Sequence, residues 1–165
     1  MNLGMGAQLE TMGRSDHQPY NVPDLDDRSH FVRNRVGADP RSAALARADF
    51  RAWLETNFAL DRDRLSDVVL AVNEAIANAA EFAYWDASQR GTLDVSASYD
   101  RQTDTLAVTV DDRGRWRQKV PAQYHRQLRG RGIPLMEALA DEVAIDRTPR
   151  GTRVAMTWTG LAQRP

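Results

Sequence analysis

Apolar and polar positions alternate with different periods along this chain, and the changes of period predict its elements. Residues 1–27 mix Gly, Asn, Asp and Pro without a hydrophobic period, which predicts a flexible N-terminal tail before a domain over residues 28–160. Phe31, Val32 and Val36 mark a short first strand over about residues 29–36. Asp39-Pro40 then opens a helix, with an acidic cap and a proline at the first helical position. Leu45, Ala46, Phe50, Trp53 and Leu54 recur at helical spacing and carry it to about Asn57. A longer helix follows, capped by Asp61. Its broad apolar face runs through Leu65, Val68, Val69, Val72, Ala75, Ile76, Ala79 and Ala80 to about Tyr84.

Gly91 breaks that pattern. Thr92 to Tyr99 and Thr105 to Val110 read as two strands of a hairpin, joined by the turn-rich Asp100 to Asp104. Residues 113–131 are polar and Gly-bearing, with no period. Ile133 to Leu139 predicts another helix, and Val143 to Asp146 with Thr152 to Thr159 a closing antiparallel pair across Pro149-Arg150-Gly151. The order β-α-α-β-β-loop-α-β-β places the chain in the α+β class. It predicts a two-layer α/β sandwich, with helices on one face of a mixed, mostly antiparallel sheet.

Composition narrows the function. The net charge of −1 gives no global field toward nucleic acid or anionic lipid. No apolar run approaches the roughly 20 residues that span a bilayer, and the N-terminus lacks the basic and apolar stretches of a secretory signal. The absence of cysteine excludes disulfides, thiol catalysis and thiolate metal sites. The expectation is a cytoplasmic protein without a membrane or direct nucleic-acid partner. Lys119 is the only lysine, so a lysine-based phosphate loop has almost no candidates.

Four short stretches carry candidate chemistry. In Asn73-Glu74-Ala75-Ile76-Ala77-Asn78, Glu74 and Asn78 stand one helical turn apart on one face, and Glu81 extends their line. A carboxamide oxygen suits a hard cation, and a neighbouring carboxylate can orient or deprotonate a nucleophile. A solvated polar stripe would look similar, but alanines fill most neighbouring positions and would let a ligand approach closely. In Val110-Asp111-Asp112-Arg113-Gly114, a carboxylate at a strand end can accept a hydrogen bond from the exocyclic amine of a purine. A plain turn is the competing reading. Arg129-Gly130-Arg131-Gly132-Ile133-Pro134 runs two glycines into a helix start, where backbone N–H groups can face an anion. Residues 113–131 hold seven basic side chains and no acidic one. An RNA-binding loop would share that charge, but only Trp116 and Tyr124 offer stacking platforms there. Gly151-Thr152 opens the last strand and could place a hydroxyl beside a base.

The order and spacing of these stretches resemble the ATP-binding superfamily of gyrase, histidine kinases and the ninety-kilodalton heat-shock chaperone (the Bergerat fold). Within it they resemble the anti-sigma regulatory serine kinases. NEAIANAAEFAY is similar to the N-box of that family, VDDRG to its first glycine box, GRGIPLM to its second and GTRV to its closing Gly-Thr motif. The resemblance implies Glu74 as catalytic base, Asn78 as magnesium ligand and Asp112 as adenine reader. It further implies that Gly114, Arg129, Gly130, Arg131 and Gly132 shape and charge the phosphate loop and that Thr152 completes the base pocket. ATP and Mg²⁺ would be the cofactors, an anti-anti-sigma protein and a sigma factor the partners, and a homodimer the assembly. The implied function is phosphorylation of the anti-anti-sigma partner, and with it control of a sigma factor and transcription. One departure stands out: the family's EHAY is Glu81-Phe82-Ala83-Tyr84 here. It favours an alternative, a catalytically weak protein-binding switch that depends on nucleotide.

Overall fold

In the computed structural model of the chain, the described residues are 26–84, 91–113, 132–148 and 150–165. Eight elements follow in the expected order: β1 (His30–Gly37), α1 (Pro40–Asn57), α2 (Arg62–Tyr84), β2 (Thr92–Asp100), β3 (Thr105–Asp112), α3 (Gly132–Leu139), β4 (Glu142–Thr148) and β5 (Gly151–Thr159).

Local chemistry fixes the helix starts. The Asp39 carboxylate accepts the Ser42 backbone N–H at 2.9 Å and the Ser42 hydroxyl at 2.6 Å, while Pro40 supplies a preset φ in the first turn. Asp61 does the same for α2, accepting the Arg64 backbone N–H at 2.7 Å. Along α2, Val68, Ala71, Val72, Ala75, Ile76 and Ala79 are buried, so small side chains hold the helix close to its neighbours.

The strands form one sheet in the order β1-β2-β3-β5-β4, and every described pairing is antiparallel. The sheet, expected to be mixed and mostly antiparallel, is antiparallel throughout, and among the described residues the helices cover one of its faces. Strand alternation turns Leu93, Val95, Leu106, Val108, Val110, Met156 and Trp158 to the covered face, where all are buried. The helix α2 packs on β2, β3 and β5, α1 on β1, and α3 on α2 and β4. An aromatic cluster joins α1 to the sheet: Phe31 meets Phe50 edge to face at 5.5 Å, and Phe58 meets Tyr99 at 5.0 Å.

Two features depart from the regular strands expected. β3 continues two residues beyond Val110, because Asp111 and Asp112 pair with Asp94 and Leu93 of β2. β1 bulges between Arg33 and Val36, with Arg35 at a φ of +55°.

After β5 the chain doubles back along the α1–α2 junction. Leu161 is fully buried, Ala59 N–H donates to the Ala162 carbonyl at 2.8 Å, and Arg164 N–H donates to the Asn57 carbonyl at 2.7 Å. Arg28 donates to the carbonyls of Arg164 and Pro165, and Gln163 donates back to the Arg28 carbonyl. At the α3–β4 junction, the Asp141 carboxylate accepts the Thr159 N–H at 2.7 Å and its hydroxyl at 3.0 Å, with Arg64 at 3.4 Å.

The Thr159 backbone hydrogen bond, ahead of the hydroxyl and the Arg64 charge, holds the Asp141 pKa below its ordinary value. Its contribution to stability is therefore present above the unfolded-state pKa of about 3.9 and is lost as pH falls through the lower folded value. We expect Asp141→Ala to cost about 1 kcal/mol at neutral pH, with partial exposure keeping the charged share small. In urea unfolding the difference from wild type should narrow below about pH 3.5; a gap independent of pH would show that the carboxylate charge is not involved.

Candidate functional site

Two groups of the expected side chains lie close together, one on α2 and one at the end of the sheet. On α2, Ala75, Ile76 and Ala79 are buried, which leaves Glu74 and Asn78 half-buried beside the core. The start of α3 abuts this pair. A Cβ placed on Gly132 would stand 3.0 Å from Asn78 Nδ2, 3.2 Å from Glu74 Oε2 and 3.4 Å from Asn78 Oδ1. A residue without a side chain therefore lets the start of α3 come into contact with this pair. The first N–H groups of α3, which have no partner within the helix, begin at the same place. Next to Glu74, Asn73 Oδ1 is a buried acceptor without a hydrogen-bond partner among the described residues.

At the sheet end, alternation along β3 puts Asp112 on the helix-facing side with Val110, opposite the buried Leu93. Thr152 of β5 lies on the same side, two positions before the buried Val154. Asp111 pairs with Arg153 in register, so one further step along the two strands brings Asp112 beside Thr152. Gly151 seals the join. Its φ is +145°, and a Cβ there would lie 1.9 Å from the Asp112 carbonyl oxygen. An open cleft of about 340 Å³ wraps this end of the sheet, where Asp112, Gly151 and Thr152 line it together with the open-face Asp94, Asp111, Arg113, Asp146 and Arg153.

The outward-facing neighbours of Asp112 are tied down separately. Arg153 Nε donates to Asp111 Oδ1 at 2.7 Å and its Nη2 to Oδ2 at 3.3 Å. This hydrogen bond and the Asp111 charge raise the Arg153 pKa above its ordinary value. Arg113 Nη2 donates to Asp94 Oδ2 at 2.7 Å.

The structure thus brings Glu74, Asn78 and Gly132 together, and Asp112 and Thr152 together. The cleft at the sheet end is lined by the second group and not by the first. Gly114, Arg129, Gly130 and Arg131 lie outside the described residues. Sequence reasoning passed over Asp94, Arg153 and the steric role of Gly151. The signal for the first two was their place at outward-facing strand positions, where a charge needs no burial.

A family model, the histidine kinase-like ATPase domain, matches residues 36–158. Serine-protein kinase RsbW of Bacillus velezensis is 30% identical over 139 residues, 77% of this chain and 84% of that protein. The crystal structure of the RsbU and RsbW domains of Rv1364c from Mycobacterium tuberculosis superposes with a TM-score of 0.61 at 26% identity. It covers 82% of this chain, which spans only 33% of that longer one.

Proposed function

The chain belongs to the histidine kinase-like ATPase family and, within it, to the anti-sigma regulatory serine kinases, and from this premise we propose an ATP-dependent protein serine/threonine kinase that phosphorylates an anti-anti-sigma partner. In this reading the same protein holds a sigma factor in check, acts as a homodimer and works in the cytoplasm. Among the described residues no helix is long and apolar enough to cross a membrane. The observation that supports the reading best is the contact at Gly132, where the start of α3 stands so close to Glu74 and Asn78 that a Cβ would lie 3.0–3.4 Å from their polar atoms.

Each part has a chemical task. The Asp112 carboxylate accepts a hydrogen bond from the exocyclic amine of adenine, and the Thr152 hydroxyl completes the base pocket. The N-terminus of α3 offers N–H groups and a positive dipole end to phosphate oxygens. Glu74 takes the proton of the incoming serine hydroxyl as its oxygen bonds to the γ-phosphorus. The bond from that phosphorus to the β,γ-bridging oxygen breaks, and ADP departs. Asn78 Oδ1, a hard oxygen donor next to a carboxylate, fits Mg²⁺, which when bound supplies neutralising charge at the phosphates. Gly114, Arg129, Gly130 and Arg131 contribute to the phosphate loop.

Calorimetry of ATP binding, with and without Mg²⁺, tests the pocket. Wild type should bind in the micromolar range, and Asn78→Ala and Asp112→Ala should each lose about tenfold or more, some 1.4 kcal/mol. Absence of binding by wild type under both conditions would end the kinase reading. Phe82, in place of the family's His, favours one second reading: a switch that binds nucleotide and changes partner affinity with little turnover. Normal ATP binding with no phosphate transfer to any cognate partner would select it.

A further inference from the structure

We propose that Asp94 and Arg153 are positioning residues that hold Asp112 in its base-reading orientation from the opposite face of the sheet. The inference rests on Asp112 as the adenine reader. Strand alternation sends Asp111 and Arg113 to the open face while Asp112 faces the helices. Each outward neighbour is fixed by its own ion pair. Asp111 is held at both oxygens by Arg153, and Arg113 is held by Asp94. Asp94 is anchored in turn, because its other oxygen accepts the Arg35 backbone N–H at 2.6 Å, where β1 bulges.

The need for such a clamp follows from where β3 ends. The last backbone hydrogen bond beyond the β2 pairing, from Arg113 N–H to the Thr92 carbonyl, is 3.4 Å long and weak. A strand that ends on so long a contact is prone to fray. The outer ion pairs and the close approach of Gly151 to the Asp112 carbonyl hold the residue before it, the residue after it and its own backbone. The Asp94 side chain is 17% exposed and that of Arg113 69%, so the sheltered carboxylate sets the geometry and the guanidinium follows. Exposed ion pairs add little to global stability. This separates a positioning role from a merely structural one, since the variants should keep their melting temperature and lose selectivity for the base.

The test measures the affinities of ATP and inosine triphosphate, which carries a ring carbonyl in place of the amine, with melting temperature as control. Wild type should prefer ATP. In Arg153→Gln, Arg113→Gln and Asp94→Asn the preference should fall about threefold or more, through weaker ATP binding, with melting within about 2 °C of wild type. Arg153→Lys should retain most of the preference. Unchanged preference in all three variants overturns the clamp alone, and so does an equal loss of both nucleotides, which would place the charges' effect at the phosphates. A wild type that binds neither nucleotide, or both alike, overturns Asp112 as base reader and the clamp with it.

Discussion

A protein carrying Glu74→Gln should bind ATP about as tightly as wild type and transfer its γ-phosphate roughly 10²–10⁴ times more slowly, the usual share of a general base. The substitution keeps the shape and reach of the side chain but removes its negative charge, and with it the ability to take a proton. Position makes this a clean separation. Glu74 Oε2 lies against Gly132, one turn from Asn78, so an isosteric amide keeps the packing at the start of α3. Single-turnover transfer from labelled ATP to a serine of the cognate partner, beside calorimetry of ATP alone, reads the two effects independently. Wild-type transfer by the variant would remove Glu74 from the chemistry. A parallel loss of affinity would instead make it a binding residue.

The largest expected loss of stability comes from one methyl group on the other side of the site. Gly151→Ala would set a Cβ 1.9 Å from the Asp112 carbonyl oxygen, well inside contact distance, and on a backbone whose φ of +145° favours glycine. The clash is with backbone, so no rotamer change relieves it. Either β5 shifts away from β3 or the end of β3 moves. We expect a cost of about 3 kcal/mol from strain and lost pairing together, and a melting temperature lower by about 10 °C. ATP binding should fall further than stability explains, since the displaced residue is Asp112 itself. A variant that melts and binds as wild type would show that the two strands can separate here without consequence.

Where sequence and structure agree, the determinant is local. Asp39-Pro40 carries a complete helix start within four residues, so α1 was legible to its last residue, Asn57. Glu74 and Asn78 share a face by helical spacing alone. The end of β3 was not legible, because two adjacent aspartates before Arg-Gly look like a turn. Asp111 and Asp112 stay extended only through β2 and Arg153, far away in sequence. The order β1-β2-β3-β5-β4 and the antiparallel pairing of all the described strands depend on non-local contacts in the same way. That Gly132 sits against Glu74 and Asn78, and Gly151 against Asp112, is likewise tertiary: a glycine in a sequence does not say what it must avoid.

The return of the last residues along the α1–α2 junction has a consequence for architecture. Arg28, just ahead of β1, and Arg164, beyond β5, are hydrogen-bonded to one another, so the chain enters and leaves this fold at a single point on its surface. A domain of that kind can be spliced into the loop of a host protein, or have its order of strands circularly permuted through a short peptide bridge, without spreading either partner apart.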